Sequence, residues 1–481
     1  MVASMILNKD LEKILSIITN MSKEDDYYKL LEEILETGMT ISNCDGGTLY
    51  LSKDNKLEFF FMITKSQNVK EGGVGKKINL PPVDINAPAV AAMCAKSKKI
   101  INVEDVYSDK NYNWSGPMKY DELTGYHTES VLVLPLLDRE KNVLGVMQLI
   151  NAVQFKKVVP FSYDVQKIIY SLSSLSGVLL DNMKLYEDAK ELLDSFVKAM
   201  VKAIESRTPY NAFHTMNVAK ICSEFVDYLN DNSYDLITKD EKNELVMAAM
   251  LHDVGKIIVP SNILNKATRF DGILDKMCMR YDLIKSNIEI KYLKNEYSKE
   301  EYDNEINLIV KAKDFIIKLD KSSFLSDEDL AFVEAMKNKS YETEFGTLKL
   351  LEDNELQSAL IKKGTLTQAE RSEIEKHVVY TAEILNELKF GRKYSHVKEI
   401  ASLHHEYLNG TGYPNHYTEE KLSKYVRMIT ISDIYESLVS TDRPYKKPIP
   451  NDKALFILND MANEGKLDKD LVKKFTELKS K

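Results

Sequence analysis

The chain has 481 residues, 44% of them hydrophobic and 29% charged, which is typical of a globular protein with two or three domains. Its net charge of −9 disfavours binding along a nucleic-acid polymer, although one cationic pocket could still hold a nucleotide. Four scattered cysteines without a CxxC pair indicate a reducing, cytoplasmic setting. With no signal peptide and no apolar run long enough to span a bilayer, we expect no membrane insertion.

Residues 1–160 predict an α+β domain with an antiparallel sheet, because amphipathic helices precede several short apolar segments. The predicted helices cover 7–20 and 25–42, and the predicted strands cover 47–52, 57–63, 129–137 and 143–150. The last two strands are joined by the turn-like sequence Asp-Arg-Glu-Lys-Asn, which favours a hairpin.

From Phe161 the apolar residues recur at alternating steps of three and four, which predicts a long linker helix over 161–205. The repeating positions are Ile168, Leu172, Leu175, Leu179, Asn182, Tyr186, Ala189, Leu193, Phe196, Met200 and Ala203. The single polar member, Asn182, is of the kind that fixes register in a parallel coiled coil. We therefore expect a homodimer joined through this helix. The alternative is a long helix packed only on its own domains.

The region 196–481 predicts an all-α domain. Capping boxes are expected where Ser298 precedes Glu301 and where Thr367 precedes Glu370. The stretch 268–362 is rich in Lys, Glu and Tyr and contains no histidine. It is interpreted as an insertion, a helical hairpin with a less ordered segment near 339–355.

Five of the eight histidines form an ordered series that predicts a metal centre. Imidazole and carboxylate groups bind divalent transition metals, and a water held between two such ions is a source of hydroxide. Any one of these residues alone is more often a satisfied structural group, but the joint pattern is much rarer. The series consists of His214, His252 with Asp253, His377, His404 with His405, and Asp433, a carboxylate in an otherwise apolar helix.

Two segments resemble the signatures that name the HD-GYP family, metal-dependent phosphodiesterases that hydrolyse the bacterial messenger cyclic di-GMP. The first is His252-Asp253-Val-Gly-Lys256, and the second runs from His404-His405-Glu406 to Gly410-Thr-Gly412-Tyr413-Pro414. Supporting elements are Arg207-Thr-Pro-Tyr210 before His214, the Gly-Thr-Leu-Thr helix that Thr367 caps, and Asp433 followed by Asp442-Arg443-Pro-Tyr-Lys446. We expect His377 to lie within the helix that Thr367 caps. The resemblance covers about 200–267 and 360–450.

This resemblance implies an HD-superfamily fold with two divalent ions, usually iron or manganese, bridged by Asp253 and by a hydroxide. The ligand types leave zinc and nickel open as alternatives. His214, His252 and Asp433 would complete one ion, and His377, His404 and His405 would complete the other. The hydroxide would attack one phosphodiester bond of cyclic di-GMP. The product would be linear pGpG, which could be cut further to GMP.

The same resemblance assigns residues to the substrate. Lys256 would place a cation on a phosphate or on the leaving oxygen, and Gly412 with Tyr413 would shape the pocket floor. Arg443 and Lys446 would meet guanine or phosphate, with ordinary surface charge as the alternative. Two residues depart from the family. Tyr210 stands where some members carry a third-metal Glu, which favours two ions, and Thr208 replaces a common Asp.

The segment from Thr124 through Thr128 to Asn151 resembles GAF domains, particularly those of cyclic-nucleotide phosphodiesterases. Asn151, Phe161 and Asp164 match part of a signature linked there to cyclic-nucleotide binding, but its Lys and Glu are missing. A small-molecule ligand such as a cyclic nucleotide and a ligand-free dimerisation scaffold both remain open.

The sequence therefore predicts a cytoplasmic, dimeric cyclic di-GMP phosphodiesterase that its GAF domain regulates. One alternative keeps the site and changes the substrate to another cyclic dinucleotide, such as 3′,3′-cyclic GMP-AMP. The other is a non-catalytic signalling receptor. This second alternative is disfavoured, because every predicted metal ligand is present in the sequence.

Overall fold

The computed structural model describes residues 26–207, 213–344, 346–440 and 448–480. The predicted helix at 7–20 and the side chains of Thr208, Tyr210, Arg443 and Lys446 lie outside these ranges. The chain divides into two compact units, Met1–Leu193 and Asp194–Lys481.

An antiparallel sheet of eight strands forms the centre of the N-terminal unit, in the order β3-β2-β1-β7-β6-β5, with β4 on β2 and β8 on β7. The long predicted strands are all present, each with slightly different ends. The strands are β1 (Cys44–Lys53), β2 (Lys56–Thr64), β3 (Val69–Gly72), β4 (Val83–Asp84), β5 (Ile101–Val103), β6 (Val131–Leu137), β7 (Val143–Gln154) and β8 (Lys157–Val159).

Helices cover both faces of this sheet, so its central strands have a core on each side. Alternate residues of a strand point to opposite faces. In β6, Leu132 and Leu134 therefore join one apolar cluster, whereas Val131 and Val133 join another. This explains why the strand is a continuous apolar run. The covering helices are α1 (Tyr27–Ser42), α2 (Val90–Ser97) and α3 (Ser115–Thr124).

The linker helix α4 spans Tyr163–Glu205, close to the predicted 161–205. Its first part packs within its own unit, since Leu172 and Leu180 belong to the apolar core there. Farther along, Leu192 is 71% exposed. Asn182 accepts a hydrogen bond from Nη2 of Arg139 at 2.6 Å, so it has a partner within its own chain. The predicted coiled coil stays a prediction.

The C-terminal unit is mainly helical, as predicted. Its longer helices are α5 (His214–Asp231), α6 (Lys239–Leu251), α8 (Leu274–Leu293), α9 (Lys299–Asp320), α10 (Asp327–Lys337), α13 (His377–Asn386), α15 (Lys424–Val439), α16 (Asn451–Asn463) and α17 (Lys469–Lys479). The shorter ones are α7 (Ser261–Leu264), α11 (Asp353–Ala359), α12 (Gln368–Glu375) and α14 (Val397–Ser402), with 3-10 turns at Val254–Ile257, Arg392–Tyr394 and Glu419–Lys421. Both predicted capping boxes, at Ser298 and Thr367, are confirmed.

The stretch predicted as an insertion has an apolar cluster of its own, which includes Phe270, Tyr281 and Ile316. The expectation of a less ordered segment near 339–355 is wrong. This segment contains an antiparallel hairpin of β9 (Ser340–Thr343) and β10 (Gly346–Lys349). The hairpin is held because Tyr341 is buried and its hydroxyl donates to Glu305.

Along the described parts of the chain, no helix combines the length and the apolar character that crossing a bilayer requires.

Candidate metal centre

His252 and Asp253 emerge where α6 ends in the core of the C-terminal unit. The helix stops at Leu251 and is followed by a 3-10 turn that contains Gly255. A Cβ atom on Gly255 would lie 1.9 Å from the carbonyl oxygen of His377, so only glycine allows this approach. The contact brings the second group of histidines towards Asp253.

His377 lies at a helix start, which corrects one expectation. We expected it within the helix that Thr367 caps, but α12 ends at Glu375 and His377 opens α13. At Lys376 the backbone has ψ of −12°, and its N–H bonds to the carbonyls of Ser372 and Ile374, which tightens the turn and ends the first helix.

His404 and His405 follow α14 and precede a glycine-rich loop. The buried carboxylate of Glu406 accepts hydrogen bonds from the N–H groups of Asn415 at 2.6 Å and Tyr417 at 3.0 Å. This carboxylate therefore holds the loop in place. The ring of Tyr413 lies 4.8 Å from that of His405.

A first group of ligand atoms surrounds one oxygen of Asp253. Oδ2 of Asp253 lies 3.3 Å from Nε2 of His252 and 3.6 Å from Nε2 of His214. Nε2 of His214 is also 3.1 Å from Oδ1 of Asp433. Residues from α5, α15 and the end of α6 thus converge on one point.

A second group surrounds the other oxygen of the same carboxylate. Oδ1 of Asp253 lies 3.4 Å from Nε2 of His377. The ring centroids of His404 and His405 are 4.1 Å apart, and that of His377 is 5.1 Å from His405. One ligand atom from each of these three histidines lies within 4.8 Å of the others. Asp253 thus stands between two groups of donors.

Several of these polar atoms are buried and make no hydrogen bond to any described residue. They are Nε2 of His252, His377 and His404, and Oδ1 of Asp253. A buried polar atom without a partner costs about 1–3 kcal/mol. Two metal ions would satisfy these atoms, and nitrogen and oxygen donors without sulfur suit iron or manganese. The residues present therefore fit the predicted ions.

The protonation states of the second group also fit metal binding. Burial lowers the pKa of His377 to about 3 and that of His405 to about 4. It also holds the pKa of His404 well below its ordinary value. These imidazoles are neutral near pH 7, which leaves a lone pair on each for a metal.

The first group, unlike the second, contains side chains that are charged near pH 7. Burial opposes ionisation of Asp253, but His252 and Lys256 lower its pKa well below the ordinary value. Burial likewise disfavours a charged His214, but hydrogen bonds with Asp433 and Glu436 raise its pKa to about 9. In the absence of an ion, a protonated His214 thus balances the acids around it.

Lys256 faces the same carboxylate, as its spacing predicted. Its Nζ lies 2.5 Å from Oδ2 of Asp253, and its side chain is partly buried. The structure brings Lys256, Tyr413 and all the predicted metal ligands together. Their roles stay predictions. The roles of Arg443 and Lys446 fall outside the described residues.

Glu436, which contacts Nδ1 of His214, is not among the residues predicted from the sequence. Its spacing to Asp433 offered a signal, because residues three apart share one face of a helix. A buried face that carries two carboxylates needs cationic or hydrogen-bonding partners from another element.

Family profiles match most of the described chain. A profile for the GAF domain matches residues 26–179, and profiles for the HD domain match 212–317 and 354–471. The chain is therefore a GAF–HD protein, in which a GAF domain precedes an HD domain. With the signatures around Asp253 and Tyr413, it is HD-GYP-like, which confirms the resemblance seen in the sequence.

Curated relatives match only parts of the chain. A 3′3′-cGAMP-specific phosphodiesterase 3 from Vibrio cholerae is 39% identical over 101 residues, which are 21% of this chain and 21% of the relative. A cGMP-specific 3′,5′-cyclic phosphodiesterase from Drosophila erecta is 25% identical over 187 residues, which are 37% of this chain and 16% of that protein. The chain thus spans about a fifth or less of these relatives.

Among solved structures, the GAF domain of an Acinetobacter phosphoenolpyruvate-protein phosphotransferase is 13% identical, with a TM-score of 0.29. The match covers 37% of this chain and 98% of that one. The GAF domain of a Coxiella burnetii phosphoenolpyruvate-protein phosphotransferase is 12% identical, also with a TM-score of 0.29. This match covers 38% of this chain and 96% of that one.

Proposed function

We propose that the C-terminal unit is a metal-dependent phosphodiesterase that opens a cyclic dinucleotide, with cyclic di-GMP as the substrate and pGpG as the product. The observation that carries this proposal is the position of Asp253 between two groups of donors, several of which are buried and unpaired. Such a carboxylate is suited to joining two ions. The similarity to phosphodiesterases supports the reaction class.

His214, His252 and Asp433 would hold one ion, and His377, His404 and His405 would hold the other, with one Asp253 oxygen on each. When bound, two such ions lower the pKa of a water and neutralise charge on the phosphoryl oxygens. Elemental analysis of anaerobically purified protein should find two iron or manganese ions per chain. A single ion, or zinc alone, would contradict this assignment.

Lys256 and Tyr413 would act on the substrate directly. Lys256 lies against Asp253, and in the loaded protein its ammonium group would turn to a phosphate or to the leaving oxygen. Burial raises the pKa of Tyr413, so its hydroxyl stays protonated near pH 7 and can donate a hydrogen bond. The ring of Tyr413 lies beside that of His405, a member of the second group, and this proximity supports the proposed role.

The test measures turnover by the full chain loaded with manganese. Wild type should convert cyclic di-GMP to pGpG, and both metal-stripped protein and Asp253→Asn should lose this activity. Asp240→Asn is the matched control, because Asp240 is exposed and its ion-pair partner Lys393 is exposed as well. Full activity in the stripped sample or in Asp253→Asn would overturn the proposal.

A second substrate is favoured by the Vibrio cholerae relative, whose name specifies 3′3′-cGAMP. Both dinucleotides should therefore be compared in the same assay by kcat/KM. A preference for 3′,3′-cyclic GMP-AMP would replace cyclic di-GMP as the substrate and leave the metal chemistry unchanged. A metal-loaded wild type that turns over neither would favour the non-catalytic receptor.

We also propose that the N-terminal unit binds a cyclic nucleotide, which regulates the phosphodiesterase. This unit contains a cavity of about 640 Å³. Val90 and Ala91, the first residues of α2, line it, and this helix starts without a side-chain cap. Backbone N–H groups at a helix start attract phosphate. Gln148 also lines the cavity, is 6% exposed and has no side-chain hydrogen bond to any described residue.

Calorimetric titration of the full chain with cyclic GMP and cyclic AMP tests this ligand. We expect Gln148→Leu to weaken binding and Gln154→Leu to leave it unchanged, because Gln154 is exposed on the same strand. If neither nucleotide binds wild type, the unit is better explained as a ligand-free dimerisation scaffold.

A further inference from the structure

Three of the histidines in the metal centre are oriented in the same way. Nδ1 of His252, His377 and His404 each lies 2.7 Å from a main-chain carbonyl oxygen three residues earlier. A carbonyl oxygen only accepts, so each Nδ1 carries the proton and each Nε2 keeps its lone pair. The tautomer that binds a metal through Nε2 is therefore set by the backbone.

His214, the first residue of α5, is oriented by a different kind of partner. Its Nδ1 instead contacts Oε2 of Glu436, which lies on α15 one turn after Asp433. The other oxygen of Glu436 accepts a hydrogen bond from Nδ2 of Asn217 at 3.0 Å. Glu436 is only 3% exposed, so its carboxylate is held between these two partners.

We infer that Glu436 is a positioning residue of the metal centre, which accepts the Nδ1–H of His214 and turns Nε2 towards Asp433 and Asp253. It supplies from a remote helix what the preceding carbonyl supplies to the other three histidines. Asn217 in turn fixes the carboxylate. Groups that hold a metal-binding histidine in this way commonly change metal affinity by about 10–100-fold when they are replaced.

This inference rests on the proposed metal centre, and its test measures metal binding without any substrate. The full chain is stripped and titrated with manganese, and the number of ions bound and their affinities are recorded. We expect Glu436→Met to weaken one of the two ions by about 10–100-fold. Glu436→Gln should restore most of that affinity, because its amide oxygen still accepts from Nδ1.

The matched control is Glu244→Met. Glu244 is another buried glutamate beside a histidine, with Oε2 3.3 Å from Nδ1 of His396, which lies outside the metal centre. This variant should bind both ions like wild type. Wild-type affinity for both ions in Glu436→Met, or an equal loss in Glu244→Met, would overturn the inference.

A second measurement on wild type keeps the test decisive if Glu436→Met does not fold. Nitrogen NMR of the histidines in wild type loaded with zinc, as a diamagnetic substitute ion, should show Nδ1 of His214 protonated and hydrogen-bonded to a carboxylate. An Nδ1 of His214 without that hydrogen bond would overturn the inference. Protein that binds two ions but cleaves no cyclic dinucleotide would refute only the proposed substrate, and the role of Glu436 would stand.

Discussion

Asn151 in the N-terminal unit and the buried histidines of the C-terminal unit differ in how their polar atoms are satisfied. In the N-terminal unit, both the oxygen and the nitrogen of the Asn151 side-chain amide are hydrogen-bonded. Its oxygen accepts from the N–H groups of Glu129 and Ser130, and its nitrogen donates to the carbonyl of His127 and to the hydroxyl of Tyr126. In the C-terminal unit, the Nε2 atoms of several buried histidines have no partner among the described residues.

This difference separates structural polar groups from functional ones. Asn151 was noted in the sequence as part of a ligand-binding signature, but its hydrogen bonds are all made within the fold, and Phe161 belongs to the apolar core. A buried group that is already satisfied stabilises the fold, whereas one left unpaired is available to a ligand. Asn151 and Phe161 are thus explained by their structural contacts, whereas the unpaired nitrogens of the histidines are not.

The largest expected effect is that of His404→Phe. Nε2 of His404 has no hydrogen-bond partner to lose, so the substitution removes only the bond from Nδ1 to the carbonyl of Ala401. The free energy of unfolding of metal-stripped protein should therefore fall by about 1–2 kcal/mol. Turnover of the cyclic dinucleotide by metal-treated protein should nevertheless fall by about 10²–10³-fold. A large loss of stability in the stripped protein would show that this histidine is structural after all.

Gly255→Ala should destabilise the C-terminal unit by about 3 kcal/mol, since the new Cβ would meet the carbonyl oxygen of His377. Thermal unfolding of metal-stripped protein measures this loss. Gly391→Ala is the control, because a Cβ there meets nothing within 4 Å. Equal melting temperatures for the two variants would contradict the close approach of Gly255 to the carbonyl oxygen of His377.

Asn151→Ala should lower the free energy of unfolding by about 2 kcal/mol, because it leaves buried backbone groups without partners. Denaturant unfolding followed in the N-terminal unit gives the value. Manganese binding should stay at the wild-type level. If stability is unchanged and cyclic-nucleotide binding is lost, Asn151 is a ligand contact. It would then not differ in role from the histidines of the C-terminal unit.

The smallest effect on stability is expected from Phe196→Glu in α4, about 0.5 kcal/mol or less, because this repeat position is 48% exposed within the chain. Sedimentation of the full chain should show a dimer for wild type and a monomer for Phe196→Glu if the linker helices pair. Lys190→Glu is the control, because Lys190 is an exposed polar residue of the same helix. A monomeric wild type would refute the predicted coiled coil.

Much of the fold was predictable because its signals are local. The apolar alternation of β6 and β7, the capping boxes at Ser298 and Thr367, and the helix that carries Asp433 depend on residues close in sequence. The hairpin of β9 and β10 was missed, because Tyr341 is held by Glu305, which is distant in sequence.

The sequence by itself determined which donors the metal centre contains, since residue type decides which ions can bind. Only the tertiary structure decided how they are arranged. It places one oxygen of Asp253 near His252 and the other near His377. It also joins His214 to Glu436 across 222 positions of the chain. Helix periodicity is a local property, whereas such pairings depend on how whole helices pack.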